Sequence, residues 1–310
     1  MYKVRIIRKL ICTIAVFALL ACLAPLTTAH AESDPAVDIS ATAAVLDVSH
    51  YQVAKPSSFS AFDDYVKAWS YMLVNTDVSE SFSLGKSCSR QELMQVMKDV
   101  QNAFSFAVLD YMEYYSFLNK CRISARYSID ETGNCTDPTI TLRISNSFGI
   151  SDAEIARQIS VFNDTCAQIV TGLYNEGSLT TAMSVKEKAY VLYRYMAYQT
   201  KYDTSYTLYN GYDAAVNGSA VCLGYTAMYN YLCNLAGVSM EAMTGKVGDK
   251  SHAWSRIYSD GSWYNIDSTW SDSIPDEENY CDETWFWVTD SYLKTCSNPR
   301  TFDIDTLVYG

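Results

Sequence analysis

The sequence predicts an α+β protein in which a central helix packs on an antiparallel sheet. The segment from Cys222 to Leu235 is free of proline, its apolar residues recur at helical spacing, and Gly237 follows as a terminating glycine. Further on, two strand-like runs flank Asp260-Gly261, a dipeptide typical of two-residue hairpin loops. Earlier, three Ser-x-x-Glu capping boxes each precede an apolar stripe, so helices should dominate the N-terminal part.

The start of the predicted central helix is a favourable place for a reactive thiol. Gly218 and Ser219 suit an irregular turn, which puts Cys222 in the first turn of the helix. There the positive end of the helix dipole favours a thiolate, and unpaired backbone N–H groups can face a developing oxyanion. Cys222 is therefore the candidate nucleophile.

The predicted hairpin brings an imidazole and a carboxylate together. With Asp260-Gly261 as the loop, the implied pairs are Ser259 with Ser262, Trp254 with Asp267 and His252 with Thr269. Because side chains alternate across a strand, His252 and Asp267 share a face as diagonal neighbours about 7 Å apart. A carboxylate in that position fixes the imidazole tautomer and stabilises imidazolium, which in turn stabilises a thiolate. The predicted catalytic residues are Cys222, His252 and Asp267.

Three motifs resemble the transglutaminase-like superfamily, whose fold is related to that of papain-type cysteine proteases. They are GSAVCLGYTAM around Cys222, HAW from His252 to Trp254, and WYNIDSTW around Asp267, and they occur in the family's order. The resemblance covers Ser184 to the C-terminus, about two-fifths of the chain, and its implication is a secreted bacterial protein with a transglutaminase-like core. Some animal members use calcium, but the acid-rich stretch 272–283 lacks EF-hand spacing and is interpreted as a solvated loop.

The N-terminus has the pattern of an export signal. Four basic residues precede an apolar run over 10–24, and Ala29-His30-Ala31 offers a small-residue cleavage site, which predicts a signal peptide over 1–31. A second interpretation competes, because Leu19-Leu20-Ala21-Cys22 resembles a lipoprotein box that would leave Cys22 lipid-modified. We favour plain secretion over anchoring, and expect a secreted or cell-surface protein in either case.

The net charge and the histidine count limit which molecules the chain is expected to bind and which imidazole could serve in catalysis. Removal of 1–31 leaves 19 basic against 35 acidic residues, a net charge of about −16. A chain of this charge is unsuited to nucleic acid or anionic membranes as partners. We also expect a monomer that acts on a protein or peptide substrate and contacts a membrane only if it is anchored at Cys22. Only His50 and His252 remain after cleavage, and His50 lies in an ordinary Pro-bounded segment. A simpler interpretation is that His252 is an ordinary hydrogen-bonded strand histidine. The predicted proximity of Asp267 and Cys222 favours a catalytic role instead.

The remaining cysteines do not indicate a metal or redox site. Apart from Cys222, seven cysteines follow the signal, and export permits disulfides, but their connectivity stays open. Cys281 and Cys296 could close a local loop. No pair has C-x-x-C spacing and histidines are scarce, so neither a zinc site nor another cofactor is expected.

Four regions follow from these patterns. They are a signal peptide over 1–31, a leader and extended segment over 32–85, an accessory helix–hairpin–helix module over 86–183, and the catalytic region over 184–310. Within them we expect a hairpin of 122–129 with 139–144 and a buried strand over 285–288. Tyr202 is interpreted as a structural aromatic, although a second oxyanion donor could come from its neighbourhood.

The resulting expectation is thiol-dependent acyl transfer on amide bonds through a thioester at Cys222. Hydrolysis, of the protease or deamidase kind, is favoured over transfer to an amine. The alternative is a non-catalytic cell-surface or protein-binding module that keeps the fold.

Overall fold

A computed structural model of the protein describes residues 46–305. Helices account for 43% and strands for 22%, which confirms the α+β class. The helices are α1 Phe62–Asn75, α2 Arg90–Asp110, α3 Met112–Tyr115, α4 Asp152–Asn175, α5 Val185–Gln199, α6 Gly211–Val216, α7 Cys222–Leu235 and α8 Asp290–Thr295. The strands are β1 Ser79–Ser83, β2 Lys120–Ile129, β3 Cys135–Ser145, β4 Lys201–Tyr202, β5 Ser219–Ala220, β6 Glu241–Val247, β7 Lys250–Ser259, β8 Ser262–Ile266, β9 Val288–Thr289 and β10 Arg300–Phe302. The predicted signal peptide and Cys22 lie outside the described residues.

Helix α7 is the centre of the fold. It is mostly apolar and is buried from Gly224 to Leu235, as expected for a helix surrounded by other elements. Helices α3, α4, α5 and α6 pack around it, and strand β7 lies against it. Its tyrosines fill the core while their hydroxyls keep hydrogen bonds, as Tyr229 does to the carbonyl of Ala189 at 2.9 Å. Gly237 follows with φ of +77°, the left-handed residue that the sequence predicts at the helix end.

The site is built on an antiparallel five-stranded sheet in the order β10-β6-β7-β8-β9. Asp260-Gly261 forms the β7–β8 loop, and the predicted pair Ser259–Ser262 is present. A separate three-stranded sheet, β1-β3-β2, contains the predicted N-terminal hairpin. Its turn is organised by the carboxylate of Asp130, which accepts backbone N–H bonds from Thr132 and Asn134 at 2.9 Å each.

The capping signals are confirmed at two of three helices in full. Ser89 with Glu92, and Ser184 with Glu187, form reciprocal capping boxes at α2 and α5. At α4 the hydroxyl of Ser151 accepts the Glu154 N–H, but the Glu154 carboxylate bonds Arg157 and Gln158 instead of returning to the cap. One half of that box is therefore absent.

The expectation of an extended segment over 32–85 is wrong for residues 62–75, which form helix α1. The helix begins after Ala61, which has no capping side chain, so the usual sequence signal is missing. The carboxylate of Asp64 ties the start of the helix instead, because it accepts the N–H groups of Ser60 and Ala61 at 2.9 and 3.2 Å. The helix contributes Trp69 to the core, and the indole N–H donates to the carbonyl of Val100.

The buried strand expected over 285–288 is also wrong. Asp282 caps a 3₁₀ turn over Glu283–Trp285, and Trp287 has a left-handed φ of 60°, which interrupts the extended backbone. Only Val288–Thr289 joins the sheet, as β9. Among residues 46–305 no helix combines the length and hydropathy that a bilayer span requires.

We predict that Gly245→Ala detaches β10. A Cβ at Gly245 would overlap the carbonyl oxygen of Thr301, so β10 would have to move. We expect a loss of about 2–4 kcal/mol in the free energy of unfolding, measured in urea, together with faster hydrogen exchange over 300–302. The control is Gly248→Ala in the β6–β7 turn, where space is open and only the positive φ opposes alanine, at about 1 kcal/mol. Unchanged exchange over 300–302 in Gly245→Ala would contradict this.

Candidate active site

Cys222 is the first residue of α7. Val221 precedes it in an extended conformation and provides no side-chain cap, so the first N–H groups of the helix have no such partner. Gly224, in the same turn, lies against the Asn210 carbonyl so closely that a Cβ would come within 2.7 Å of its oxygen. The loop before α6 therefore lies next to the thiol-bearing turn, and Cys222 is partly exposed there.

His252 and Asp267 meet, although the predicted register ends one step early. Hairpin pairing runs from Ser259–Ser262 to Ser255–Ile266, where β8 stops. The expected pairs Trp254–Asp267 and His252–Thr269 are therefore not formed. Instead the N–H of Asp267 donates to the carbonyl of Trp285 at 3.0 Å, which turns the chain and directs the carboxylate towards β7. Asp267 Oδ2 lies 2.7 Å from His252 Nε2, and both side chains are buried.

The structure also brings Cys222 and His252 together. The His252 imidazole and the Ala253 N–H both lie close enough to the Cys222 sulfur to favour its thiolate form. Because Nε2 of His252 is bound to Asp267, Nδ1 is the nitrogen left for the thiol. All three residues singled out from the sequence thus belong to one continuous array, supplied by α7, β7 and the residue after β8.

A fourth residue, Arg300, completes the array and was missed by the sequence reasoning. Its Nη2 donates to Asp267 Oδ2 at 2.6 Å, and its side chain is wholly buried. The guanidinium lies 4.7 Å from the ring centroid of Trp270 and 4.6 Å from that of Trp285. The sequence around Arg300 has no motif that indicates this contact, which spans 33 residues and depends on the pairing of β10 with β6.

The electrostatics of the array favour a charged thiolate–imidazolium pair. Burial opposes charge on Cys222, but the hydrogen bond and charge of His252 outweigh it and lower the pKa of the thiol. Burial likewise opposes protonation of His252, yet the Asp267 carboxylate raises its pKa to about 10. For Asp267, burial is outweighed by His252 and Arg300, which lower its pKa. These shifts favour the arrangement in which Cys222 and Asp267 are negative while His252 and Arg300 are positive.

Two residues near the site, Tyr202 and Asp203, make hydrogen bonds that hold the neighbouring chain. Tyr202 lies beside Cys222 and its N–H donates to Asp272 Oδ2 at 3.2 Å. Asp203 accepts N–H bonds from Ser205, Thr207 and Leu208, and so folds the loop before α6. Because its carboxylate is used in this way, Asp203 does not reach the thiol.

His50 lies at the other end of the central helix. Its Nε2 contacts the carbonyl of Asp110 at 3.0 Å, and its ring stacks on Tyr111. Nearby, the Asp47 N–H donates to the carbonyl of Leu235, the last residue of α7. A 14-residue helix is about 20 Å long, so His50 is remote from Cys222.

All eight cysteines of the described part are free, including Cys281 and Cys296. The local disulfide considered for those two is absent because they pack against different hydrophobic clusters. Cys281 packs against the main core around α7, whereas Cys296 packs against a smaller one that contains Trp254 and Trp285. Across residues 46–305 no group of three or more His, Cys, Asp or Glu side chains could hold a metal ion.

Comparison with known protein families agrees with this arrangement of a cysteine at a helix start beside a histidine and an aspartate from a sheet. Residues 174–268 match the family model described as the transglutaminase-like superfamily. The resemblance drawn from the three motifs is thereby confirmed, and the chain contains a transglutaminase-like domain. The matched segment includes Cys222, His252 and Asp267 and ends before Arg300.

Individual relatives match over a short stretch. The kyphoscoliosis peptidases of Homo sapiens and Mus musculus are 31% and 30% identical over 67 residues, which is 18% of this chain and 10% of each relative. The chain thus spans about a tenth of the length of these relatives. A solved structure entitled as that of a TGase has a TM-score of 0.31 at 14% identity, with 47% of this chain and 44% of that chain covered. A putative cysteine protease from Cytophaga hutchinsonii has a TM-score of 0.30 at 13% identity, with 48% and 64% covered.

We predict that His252 controls the ionisation of Cys222. Alkylation by iodoacetamide across pH, quantified on the Cys222 peptide, should have a midpoint below that of an ordinary thiol. In His252→Ala the imidazolium is lost while the burial remains, so the midpoint should rise by about 1–3 pH units. Cys281 is an internal control, because burial and Glu283 raise the pKa of its thiol to about 11. Equal midpoints for Cys222 in both proteins would refute the role of His252.

Proposed function

We propose that this protein is an exported thiol-dependent enzyme that cleaves amide bonds through a thioester at Cys222. The observation that carries the proposal is the placement of Cys222 beside His252, whose imidazole is itself hydrogen bonded to Asp267. Membership of residues 174–268 in the transglutaminase-like superfamily supports thiol-dependent catalysis in general. The roles of the three residues, the amide substrate and the export are our own assignments.

The first half-reaction forms the thioester. The Cys222 thiolate attacks the carbonyl carbon of a peptide bond or of a glutamine side chain, and the carbonyl oxygen becomes an oxyanion. The N–H of Cys222, at the positive end of α7, is the oxyanion donor that we assign. The His252 imidazolium gives its proton to the leaving nitrogen, the C–N bond breaks, and the amine or ammonia departs.

The second half-reaction returns the free enzyme. His252, now neutral, takes a proton from the attacking water, which forms a C–O bond as the C–S bond breaks. The product is a carboxylic acid and the Cys222 thiolate is restored beside imidazolium. We propose water as the acceptor because an amine needs its own binding site and water does not, so deamidation or peptide hydrolysis is preferred to cross-linking.

The cellular setting is proposed from the sequence. Residues 1–31 would direct secretion, or Cys22 would anchor the protein at a cell surface, and the acidic chain would act as a monomer on protein or peptide substrates without nucleic acid. We expect the host cell to secrete the cleaved chain, and the N-terminus of that chain to follow Ala31. An N-terminus at a lipidated Cys22 would replace secretion by anchoring.

We predict that a Cys222-linked thioester can be trapped. Glutamine-containing peptides are incubated with the protein, the reaction is stopped in acid, and the Cys222 peptide is weighed by mass spectrometry. An acyl adduct is expected in the native protein, with release of ammonia or a cleaved peptide. Cys222→Ala should form none and lose at least about 10⁴-fold in rate, because the covalent route is closed.

Two further arms decide between the alternatives. Added primary amine that is incorporated into product faster than water would favour transglutamination over hydrolysis. A peptide library that yields no adduct and no turnover, but binds native protein and Cys222→Ala equally, would replace the enzyme by a binding module. Arg194→Ala, an exposed change on α5 whose guanidinium bonds the Tyr198 hydroxyl, is the variant that should retain full rate.

A further inference from the structure

The predicted catalytic carboxylate is shared between two cationic partners. His252 Nε2 and Arg300 Nη2 both bind Oδ2 of Asp267, at 2.7 and 2.6 Å, while Oδ1 accepts only the weaker N–H bond of Trp270 at 3.3 Å. The same oxygen that would stabilise the imidazolium is therefore also bound to a permanent positive charge, since arginine keeps its charge over the physiological range.

The burial of Arg300 is hard to attribute to stability alone. Taking a guanidinium and a carboxylate out of water is unfavourable, and buried ion pairs can often be replaced by apolar side chains without loss of stability. Arg300 is also incompletely bonded, because its Nε has no partner and its Nη1 reaches the Asn298 carbonyl only at 3.4 Å. Its one short hydrogen bond is the bond to Asp267, so the guanidinium is committed to that carboxylate.

We propose that Arg300 is a positioning residue that sets the pH range in which the Cys222–His252 pair is charged. It fixes the Asp267 carboxylate against β7 and partly neutralises it, so that His252 is stabilised as imidazolium without excess negative charge beside the Cys222 thiolate. This inference rests on the proposed thiol function. It extends the site beyond residue 268, to β10 on the opposite edge of the sheet from β9.

The groups that face the array are few. Tyr202 on β4 lies near Cys222, and Tyr193 on α5 lies near Asp267, where its hydroxyl donates to the carbonyl of Asp282 at 2.6 Å. Burial raises the pKa of both phenols well above neutrality, so both stay uncharged. Among the described groups that contact Asp267, His252 and Arg300 are therefore the cations that compensate it.

The sign of the effect follows from removing one positive charge. Without Arg300, every neighbouring acid holds its proton more tightly, so the pKa values of Cys222, His252 and Asp267 all rise. His252 is already protonated at neutral pH, so a stronger imidazolium gives the thiolate no additional stabilisation. The uncompensated Asp267 charge instead opposes the thiolate. Both the appearance of the thiolate and the loss of imidazolium should therefore move to higher pH.

The test compares Arg300→Met, which keeps the apolar stem and removes the charge, with Arg300→Lys, which keeps the charge. In the full chain, the alkylation midpoint of Cys222 should rise by about one pH unit or more in Arg300→Met and stay near that of the native protein in Arg300→Lys. If peptide turnover is present, the pH at which the rate falls on the alkaline side should also shift to a higher value in Arg300→Met. A purely structural role would lower the melting temperature and leave the midpoint in place.

The chain offers a matched control in Arg256. It is also a buried arginine, with a carboxylate partner in Glu241 at 2.6 Å and a tryptophan in Trp263 at 4.0 Å. It lies four residues from His252 on β7, about 13 Å along the strand. Arg256→Met should therefore lower the melting temperature without moving the Cys222 midpoint.

Each outcome gives a decision. A native midpoint in folded Arg300→Met overturns the inference. If Arg300→Met fails to fold, Arg300→Lys decides, because a midpoint that shifts although the charge is kept also overturns it. Since alkylation reports ionisation without turnover, a shift in Arg300→Met with no detectable native turnover would refute the proposed function alone. Native turnover without any shift would refute the role of Arg300 alone.

Discussion

The shared oxygen of Asp267 is the constraint on which the rest of the site depends. Cys222, His252, Asp267 and Arg300 form a row of alternating negative and positive charges whose sum is zero when the thiol is ionised. A buried charge that loses its partner costs about 3–5 kcal/mol, so each member requires the next. α7, β7, the turn after β8 and β10 supply one member each. Those four elements must therefore converge at one point for the charged site to be compatible with a stable fold.

The relative position of nucleophile and base is fixed by rigid elements. Cys222 begins a helix that is buried from its third residue to its last, and His252 lies on the central strand of the sheet. Inside the core the hydroxyl of Ser255 donates to the side-chain carbonyl of Asn230, which joins β7 directly to α7. A polar bond in an apolar interior is costly to break, and so it specifies one register of the helix against the strand. The thiol–imidazole contact follows from that packing and does not need a mobile loop to close.

The sequence predicts the parts of the site that depend on local signals. A helix start at Cys222 and a hairpin loop at Asp260-Gly261 are each decided within a few residues, and both agree with the structure. The departure of Asp267 from the hairpin register is decided by the carbonyl of Trp285, and no pattern near Asp267 indicates it. The role of Arg300 is harder still to predict from the sequence. An isolated arginine in a three-residue strand is indistinguishable from a surface residue until β10 is placed beside β6.

The segment after residue 268 is therefore part of the site's electrostatics. Trp285 supplies the carbonyl that turns Asp267, and with Trp270 it encloses the guanidinium of Arg300. Aromatic walls exclude water, and a charge interaction is stronger where water is excluded, so the same rings that shield Arg300 strengthen its hold on the carboxylate. A core that ended at Trp270 would keep the three motifs and lose Arg300, the cation that balances the charge of Asp267. The three motifs thus indicate the transglutaminase-like superfamily, and the cation that we propose as the balance for their charged residues lies outside them.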